Sequence, residues 1–204
     1  MFRPQNPRAA ALLREISSRH PGFREAVLAD ARVTLRHRGE REELRGGLDS
    51  VIQVMRLIWT SDAFLAQVLY RLKARLQRRG VPVLPRLAHR GAMVLGQVAI
   101  GDPVLVHPGV YLLHGQVVVD GLVEIHSDAV IAPFVTIGLR AGNVQGPTIE
   151  AGVRIGTGAK VIGPVRVGAG AEIGANAVVV EDVPAGTTVV GVPARPPAGY
   201  RLPG

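Results

Sequence analysis

The sequence contains no cysteine. Disulfide bonds, thiolate-bound zinc, iron–sulfur clusters and a covalent cysteine nucleophile are therefore excluded. Aromatic residues make up only 4% of the chain, which argues against a binder of single-stranded nucleic acid, because such proteins stack bases on aromatic side chains. No run of about 18 uncharged apolar residues is present. We therefore expect a cytoplasmic protein with neither a membrane nor a nucleic acid as partner.

Basic residues, glycine and small aliphatic residues are what the 204-residue chain has in quantity. Its formal net charge is +8, and arginine supplies almost all of the positive charge, since Lys73 and Lys160 are the only lysines. A basic chain can attract an anionic partner, and an anionic cofactor is one such partner. The 25 glycines and 47% hydrophobic residues indicate a core of small and branched aliphatic side chains.

The first 92 residues have apolar residues at helical spacing. Asn6-Pro7 is typical of a helix start, and we expect that helix to run to about Ser18. A second helix is predicted from an apolar stripe of five residues: Leu48, Val51, Val54, Met55 and Ile58. Ser61 is the candidate cap of a third helix, which ends at Gly80. The basic residues of this third helix are expected to form a solvated surface: Arg71, Lys73, Arg75, Arg78 and Arg79.

The second half is built from a six-residue repeat. From Ile149 the chain divides into sixes whose first residue is Ile or Val and whose fifth is Val or Ala: IEAGVR, IGTGAK, VIGPVR, VGAGAE, IGANAV and VVEDVP. Such a period fits neither an α-helix nor a long alternating strand, but it fits a short strand and a turn, repeated. Ile100, Val106 and Leu112 begin hexads one residue out of phase with this frame, so we expect residues 117–124 to absorb a slip. Stacked coils would bury the aliphatic residues in one core.

These hexads, followed by Gly191-Val192-Pro193-Ala194-Arg195, resemble those of the hexapeptide acyltransferases, whose family fold is a left-handed parallel β-helix. Residues from about 60 to 196 resemble serine O-acetyltransferase more closely, through the helical lead-in, the segment Leu112-Leu113-His114-Gly115 and the last coils. The resemblance implies an α+β protein. Its α-helical region would span residues 1–92, its left-handed β-helix acyltransferase domain residues 93–196 and its tail residues 197–204.

The resemblance assigns the role of catalytic base to His114. The family's catalytic histidine lies in the motif Leu-Asp-His-Ala-Thr-Gly, and the matching segment here begins with Leu112, Leu113 and His114. A neutral imidazole suits the removal of a proton from a hydroxyl as it attacks a thioester. Leu113 replaces the aspartate that helps to hold the family's amino-acid substrate, and Gln116 follows in the same segment, so both are assigned to the acceptor site. The carboxylate that partners the base falls at Ala99, with Asp102 as the nearest substitute.

The remaining acceptor residues are predicted on a loop. The family motif Asp-Arg-His-Pro-Lys-Ile aligns with residues 144–149, which contain neither the arginine nor the histidine. Gln145 and the neighbouring Arg140 are the candidates that remain to bind substrate. The function predicted is acetyl-CoA-dependent O-acetyl transfer to a small hydroxyl acceptor, which is serine or, more in keeping with these departures, a different compound.

Acetyl-CoA is the co-substrate that the resemblance implies, lying in a groove between neighbouring β-helices. Gly138, Thr157 and Ala175 would line the pantetheine slot, and Arg195 would meet a phosphate. Because the groove lies between protomers, we expect a homotrimer or a dimer of trimers.

Two alternative functions stay open at this point, namely O-acetylation of a sugar or cell-envelope component, and a non-catalytic trimeric scaffold. His107, His114 and His126 are candidate zinc ligands, and they occupy the second, third and second hexad positions, with the slip between them. These positions do not predict convergence on one ion, so no metal is predicted.

Overall fold

The computed structural model describes residues 15–197. Residues 15–19 are helical, and four complete helices follow: α1 (Phe23–His37), α2 (Gly46–Thr60), α3 (Asp62–Arg78) and α4 (Leu84–Gly96). Ser61 caps α3 as predicted, since its hydroxyl accepts a hydrogen bond from the Phe64 N–H at 3.3 Å. The predicted start at Asn6-Pro7 lies outside the described residues. Helix α4 runs through the predicted boundary at residues 92 and 93, and the division into domains stays a prediction.

Fourteen short strands follow α4 within the described residues, and they form three parallel sheets. Face A contains β1 (Val98–Ile100), β4 (Val117–Val119), β7 (Thr136–Gly138), β10 (Lys160–Ile162) and β13 (Val178–Val179). Face B contains β2 (Leu105–Val106), β5 (Leu122–Ile125), β8 (Gln145–Ile149) and β11 (Arg166–Val167). Face C contains β3 (Tyr111–Leu112), β6 (Val130–Ile131), β9 (Arg154–Ile155), β12 (Glu172–Ile173) and β14 (Thr188–Val189). The chain visits A, B and C in turn, which makes a parallel β-helix, and the predicted α+β class is confirmed.

The first and fifth residues of the hexads fill the interior of this β-helix. Ile149, Ile155, Val161 and Val167 are almost fully buried, as are the small fifth residues such as Ala159. Alternation within each short strand sends the intervening side chain outwards, because successive side chains of a strand point to opposite faces. The six-residue period therefore specified both the strands and the core.

The frame slip lies earlier than predicted. Three residues separate the buried Ile100 from Val104 and Val106 from Val110, whereas four residues, 113–116, separate Leu112 from Val117. Face A accordingly pairs Val98 with Val117, nineteen residues on, and the next coil returns to eighteen with Val118 opposite Thr136. The prediction that residues 117–124 absorb the slip is wrong. A corner can take an extra residue without moving the inward positions, whereas a slip within a strand would turn its core residues outwards.

Helix α3 covers the open end of the β-helix. A first coil has no preceding coil to pair with, so its backbone groups need other partners. Gln67 donates to the Val110 carbonyl at 2.8 Å, Tyr70 to the Val104 carbonyl at 2.9 Å and Lys73 to the Ile100 carbonyl at 2.6 Å. Arg71 donates to the carbonyls of Val106 and His107, the latter at 2.9 Å. The expectation of a solvated basic surface is wrong for Arg71 and Lys73, which are only 4% and 2% exposed.

We call α3 and the side chains by which it binds the first coil (Gln67, Tyr70, Arg71 and Lys73) the end cap. A buried ion pair fixes α1 to this end cap. Asp30 of α1 accepts from Arg71 Nε at 3.0 Å and from Arg71 Nη2 at 3.2 Å, and it also accepts the Gly109 N–H at 2.8 Å. Burial raises the pKa of Asp30, and the Arg71 guanidinium acts in the opposite direction. The Asp30 carboxylate thus neutralises the Arg71 guanidinium, which also donates hydrogen bonds to carbonyls of the first coil.

Helix α2 presents much of its predicted apolar stripe to solvent. Leu48, Val51 and Met55 are exposed, and Leu57 is the one buried residue of the helix. Trp59, at 89% exposure, extends the same apolar surface. No helix within residues 15–197 is long and apolar enough to span a membrane.

Candidate functional site

The corners of the β-helix form three edges, which we name by the faces they join. Edge CA contains the corners that lead from face C to face A, edge AB those from A to B, and edge BC those from B to C. A three-residue strand spans about 10 Å, so two edges of one coil are separated by roughly that width. The separation between edges therefore limits which predicted site residues can be neighbours within one chain.

His114 lies on edge CA in the four-residue corner formed by residues 113–116. The strand β3 delivers the chain to this corner and β4 leads it away, so both ends of the corner are fixed by parallel pairing. The His114 side chain is exposed. Within residues 15–197 its ring takes part in no hydrogen bond or ion pair, so the imidazole nitrogens are free to meet a ligand.

The end of α4 holds this corner in place. Gln97, in the left-handed conformation after α4, accepts hydrogen bonds from the N–H groups of Gln116 at 2.7 Å and Val117 at 3.2 Å. A Cβ on Gly115 would lie 2.2 Å from the Gly96 carbonyl oxygen, so only glycine fits beneath the helix end. Gly96 is itself pressed against Ala66, where a Cβ would lie 2.6 Å from that side chain. Close backbone contacts therefore connect α3 to the His114 corner.

Four further predicted residues share edge CA with His114. Leu113 and Gln116 flank it in the same corner, Gln116 with a positive φ of 62°. Thr157 and Ala175 occupy equivalent exposed positions in later coils, and the Asn176 N–H donates to the Thr157 carbonyl at 2.8 Å. Small side chains at these two positions leave the backbone open to a ligand that runs along the edge.

The other predicted residues lie along edge AB. Gly138 ends β7, Arg140 lies on the exposed loop that follows, and Gln145 begins β8. Arg195 also reaches this edge, where its Nη2 lies 2.7 Å from Glu181 Oε1. Face A separates these residues from His114 in one chain, so the predicted site is divided between two edges.

Asp102 is not placed to partner His114. It lies on edge AB, and its carboxylate is 3.1 Å from Lys73 Nζ. Burial acts to raise the pKa of Asp102, but the Lys73 ammonium and hydrogen bonds from Gln77 and Lys73 lower it overall. Burial in turn lowers the pKa of Lys73. Asp102 is therefore part of the end cap, which corrects the expectation that it substitutes for the carboxylate absent at Ala99.

Edge BC brings together two histidines that the sequence did not predict to converge. The His107 and His126 rings stack with centroids 4.5 Å apart and planes 10° apart. Glu124 accepts from His107 Nε2 at 2.8 Å and also pairs with Arg19 at 2.5 Å. Burial acts to raise the pKa of Glu124, but hydrogen bonds from His107 and Arg19 lower it overall. The sequence did contain a signal for this stacking. Both histidines occupy the second hexad position, and they lie nineteen residues apart, which is the length of the enlarged first coil.

Comparisons with known proteins agree with this fold. Residues 146–180 match the family model described as bacterial transferase hexapeptide (six repeats). The chain therefore carries the repeat of the bacterial hexapeptide transferases, which is the class its three-faced coil defines.

Serine acetyltransferases are the relatives it resembles. The enzyme of Helicobacter pylori (strain J99) is 37% identical over 134 residues, which is 64% of this chain and 78% of that protein. The enzyme of Synechococcus elongatus is 38% identical over 136 residues, 65% of this chain and 55% of that protein, so the chain spans about half of that relative's length. A solved serine acetyltransferase in complex with CoA superposes with a TM-score of 0.71 at 27% identity, over 95% of this chain and 78% of that one. The chain belongs to the serine acetyltransferase family.

Proposed function

We propose that this chain transfers the acetyl group of acetyl-CoA to the hydroxyl of a small acceptor. The hydroxyl oxygen attacks the thioester carbonyl as a nitrogen of His114 takes the hydroxyl proton. The carbon–sulfur bond then breaks, the proton passes from His114 to the departing sulfur, and the products are the O-acetyl ester and CoA. Backbone N–H groups of the corners are available to stabilise the oxyanion. With no cysteine in the chain, direct transfer between two bound substrates is favoured over an acyl-enzyme.

The observation that carries this proposal is the corner that holds His114. It has one residue more than the equivalent three-residue corners around it, and its exposed imidazole stands on the same edge as Thr157 and Ala175. The close approach of Gly115 to Gly96 fixes the backbone from which the histidine projects. A general base must be held in a fixed position relative to the proton that it removes.

A homotrimer would bring the two edges of the proposed site together. The outward residues of face A are Ala99, Val118, Thr136, Lys160 and Val178, with one charge among five. The charged pairs Arg154–Glu172 and Arg166–Glu150 lie on faces C and B. A neighbouring copy seated against face A could bring its own edge AB near His114. In that arrangement Gly138 and Arg195 of one copy would contact the acetyl-CoA that runs along Thr157 and Ala175 of another, in a trimer or a dimer of trimers.

The relatives are serine acetyltransferases, so we take the transfer of acetyl to serine as the function of first choice. One observation favours a neutral hydroxyl compound, such as a sugar, as the second candidate. The side chain adjacent to His114 is the apolar Leu113, and the loop offers the uncharged Gln145 with Arg140 as its nearby cation. A substrate ammonium would find no carboxylate at position 113, whereas a neutral acceptor needs none.

Replacement of the proposed base tests the mechanism. His114→Asn is expected to lower kcat by roughly two to four orders of magnitude while leaving CoA binding nearly unchanged, as for loss of a general base. Release of CoA thiol from acetyl-CoA measures turnover, and calorimetry measures binding. His37→Asn, an exposed histidine of α1, is the matched control and should retain the parent's rate. Near-normal turnover in His114→Asn would remove this histidine from the mechanism.

The acceptor is tested with a restored carboxylate. If the neutral compound is the acceptor, the parent should use L-serine with a kcat/KM below about 10⁴ M⁻¹s⁻¹, the lower end of the ordinary enzyme range. Leu113→Asp should raise this value at least about tenfold, because a charge-assisted hydrogen bond contributes about 1.5–3 kcal/mol. Leu113→Asn, which is uncharged, is the control. Efficient use of serine by the parent, unchanged in Leu113→Asp, would reject the neutral acceptor.

A further inference from the structure

We propose that His107, Glu124 and His126 form a binding site for one divalent cation of the zinc type on edge BC, away from the proposed acetyl-transfer site. One ligand atom from each residue can be chosen so that all three lie within 4.8 Å of one another. Glu124 Oε1 is 2.8 Å from His107 Nε2 and 3.7 Å from His126 Nε2. The two imidazoles are stacked and nearly parallel, and the Nε2 atom of each lies within 4 Å of the same carboxylate oxygen.

The distances suit a four-coordinate ion once the two rings tilt out of their parallel stack, so that the in-plane lone pair of each Nε2 points at the ion. Zinc holds nitrogen and oxygen ligands at about 2.0–2.2 Å, which places neighbouring ligand atoms of a tetrahedron roughly 3.4 Å apart. The Glu124–His126 separation is already close to this value, and the Glu124–His107 pair would open slightly as the ion enters between them. Two imidazoles and a carboxylate favour Zn²⁺, Co²⁺ or Ni²⁺ over Mg²⁺ and Ca²⁺, which prefer oxygen ligands.

The β-helix holds these ligands in register before any ion arrives. Val106 pairs with Ile125 in face B, so the residues that follow, His107 and His126, are stacked directly in successive coils. Leu105 pairs with Glu124, which fixes the backbone that carries this carboxylate beside them. Arg71 also binds the His107 carbonyl, so this backbone is tied to the buried end cap. The exposed fractions of the three side chains are 33%, 22% and 32%, which leaves an ion a path from solvent.

Arg19 forms an ion pair with the Glu124 carboxylate, which the cation would need as a ligand. Its Nη2 lies 2.5 Å from Glu124 Oε1, the oxygen that also faces both histidines. The Arg19 side chain is 47% exposed, so the guanidinium can move into solvent at modest cost. Cation binding and the Arg19–Glu124 ion pair are therefore alternatives, and this competition distinguishes the site from nonspecific binding at a surface histidine.

The test is a titration of the full chain with Zn²⁺ by calorimetry, with Co²⁺ absorption as an independent measure of nitrogen ligation. One ion per chain is expected to bind, and the midpoint of thermal unfolding should rise with Zn²⁺ concentration, since a ligand of the native state stabilises it. Glu124→Gln and His126→Ala should each weaken binding at least about tenfold, a change of about 1.4 kcal/mol. Arg19→Ala should bind severalfold more tightly.

His37→Ala is the control for imidazole at the surface and should bind as the parent does. Circular dichroism establishes that each variant is folded before it is titrated. The proposal is overturned if the parent takes up no stoichiometric Zn²⁺ at about 100 μM, or if Glu124→Gln or His126→Ala binds as tightly as the parent. It is also overturned if Arg19→Ala fails to bind more tightly, because the ion would then not share the carboxylate with the guanidinium.

Discussion

The coils after residue 145 and the first coil of the β-helix satisfy their backbones in different ways. In the later coils β8, β9, β10 and β12 each pair with the strands above and below, as Val161 of β10 does with Ile137 and Val179, and aliphatic side chains fill the inside. The first coil has such a neighbour on one side only. On the other side, side chains of α3 take its carbonyls, and two of these side chains carry charge. A repeat therefore specifies the stack, whereas the end of the stack depends on residues outside the repeat.

Loss of the buried ion pair should have the largest effect on stability. Asp30→Ala leaves the Arg71 guanidinium buried without its carboxylate, and breaking such a pair typically costs about 3–5 kcal/mol. Urea denaturation of the parent and the variant measures the difference in unfolding free energy. A cost below about 1 kcal/mol would mean that the end cap does not depend on this pair, and the contrast between the two regions would fail.

His20 gives the end cap a pH dependence. Burial, together with the charges of Arg71 and Arg78, lowers the pKa of His20 to about 4. In the unfolded chain a histidine has a pKa near 6.5, so below that pH the unfolded state binds a proton that the native state does not. This stability is full above pH 6.5 and is lost as the pH falls towards 4.

The variant His20→Phe isolates this contribution. Between pH 7 and pH 5 the parent should lose about 2 kcal/mol more unfolding free energy than the variant, which has no group to titrate at this position. Urea unfolding at the two pH values measures both losses. Equal losses in parent and variant would show that His20 is not held neutral in the cap.

The smallest effect is expected at a surface ion pair of the later coils. Arg154 and Glu172 stand opposite one another on face C, with a separation of 3.8 Å and more than half of each side chain exposed. Exposed pairs contribute about 0–1 kcal/mol, so Glu172→Gln should change the unfolding free energy by less than about 1 kcal/mol. A cost as large as that of Asp30→Ala would show that charge is as important to the coils as to the cap.

The repeat was predictable because its signal is local. Ile or Val at the first position and Val or Ala at the fifth recur in sequence, and the same residues fill the core. The slip was predicted to exist but assigned to the wrong residues, since hexad counting alone does not tell a corner from a strand. Its true position at residues 113–116 makes the corner that carries His114 longer than the corners beside it.

The end cap was not predictable in the same way. Arg71 and Lys73 look like the other basic residues of α3, and only the docking of that helix on the first coil makes them buried donors. The stacking of His107 and His126 is not evident from the hexad positions of the three histidines, because the third, His114, lies on a different edge. Thr157 and Ala175 lie on the edge of His114 as a repeat would place them, whereas Gly138 lies on another.

The end cap also determines how copies of this chain can meet. An uncovered first coil would present a row of free carbonyls to the first coil of another molecule, and solenoids joined through their ends grow into fibres. Because Gln67, Tyr70, Arg71 and Lys73 already occupy these carbonyls, this end offers no template for end-to-end polymerisation.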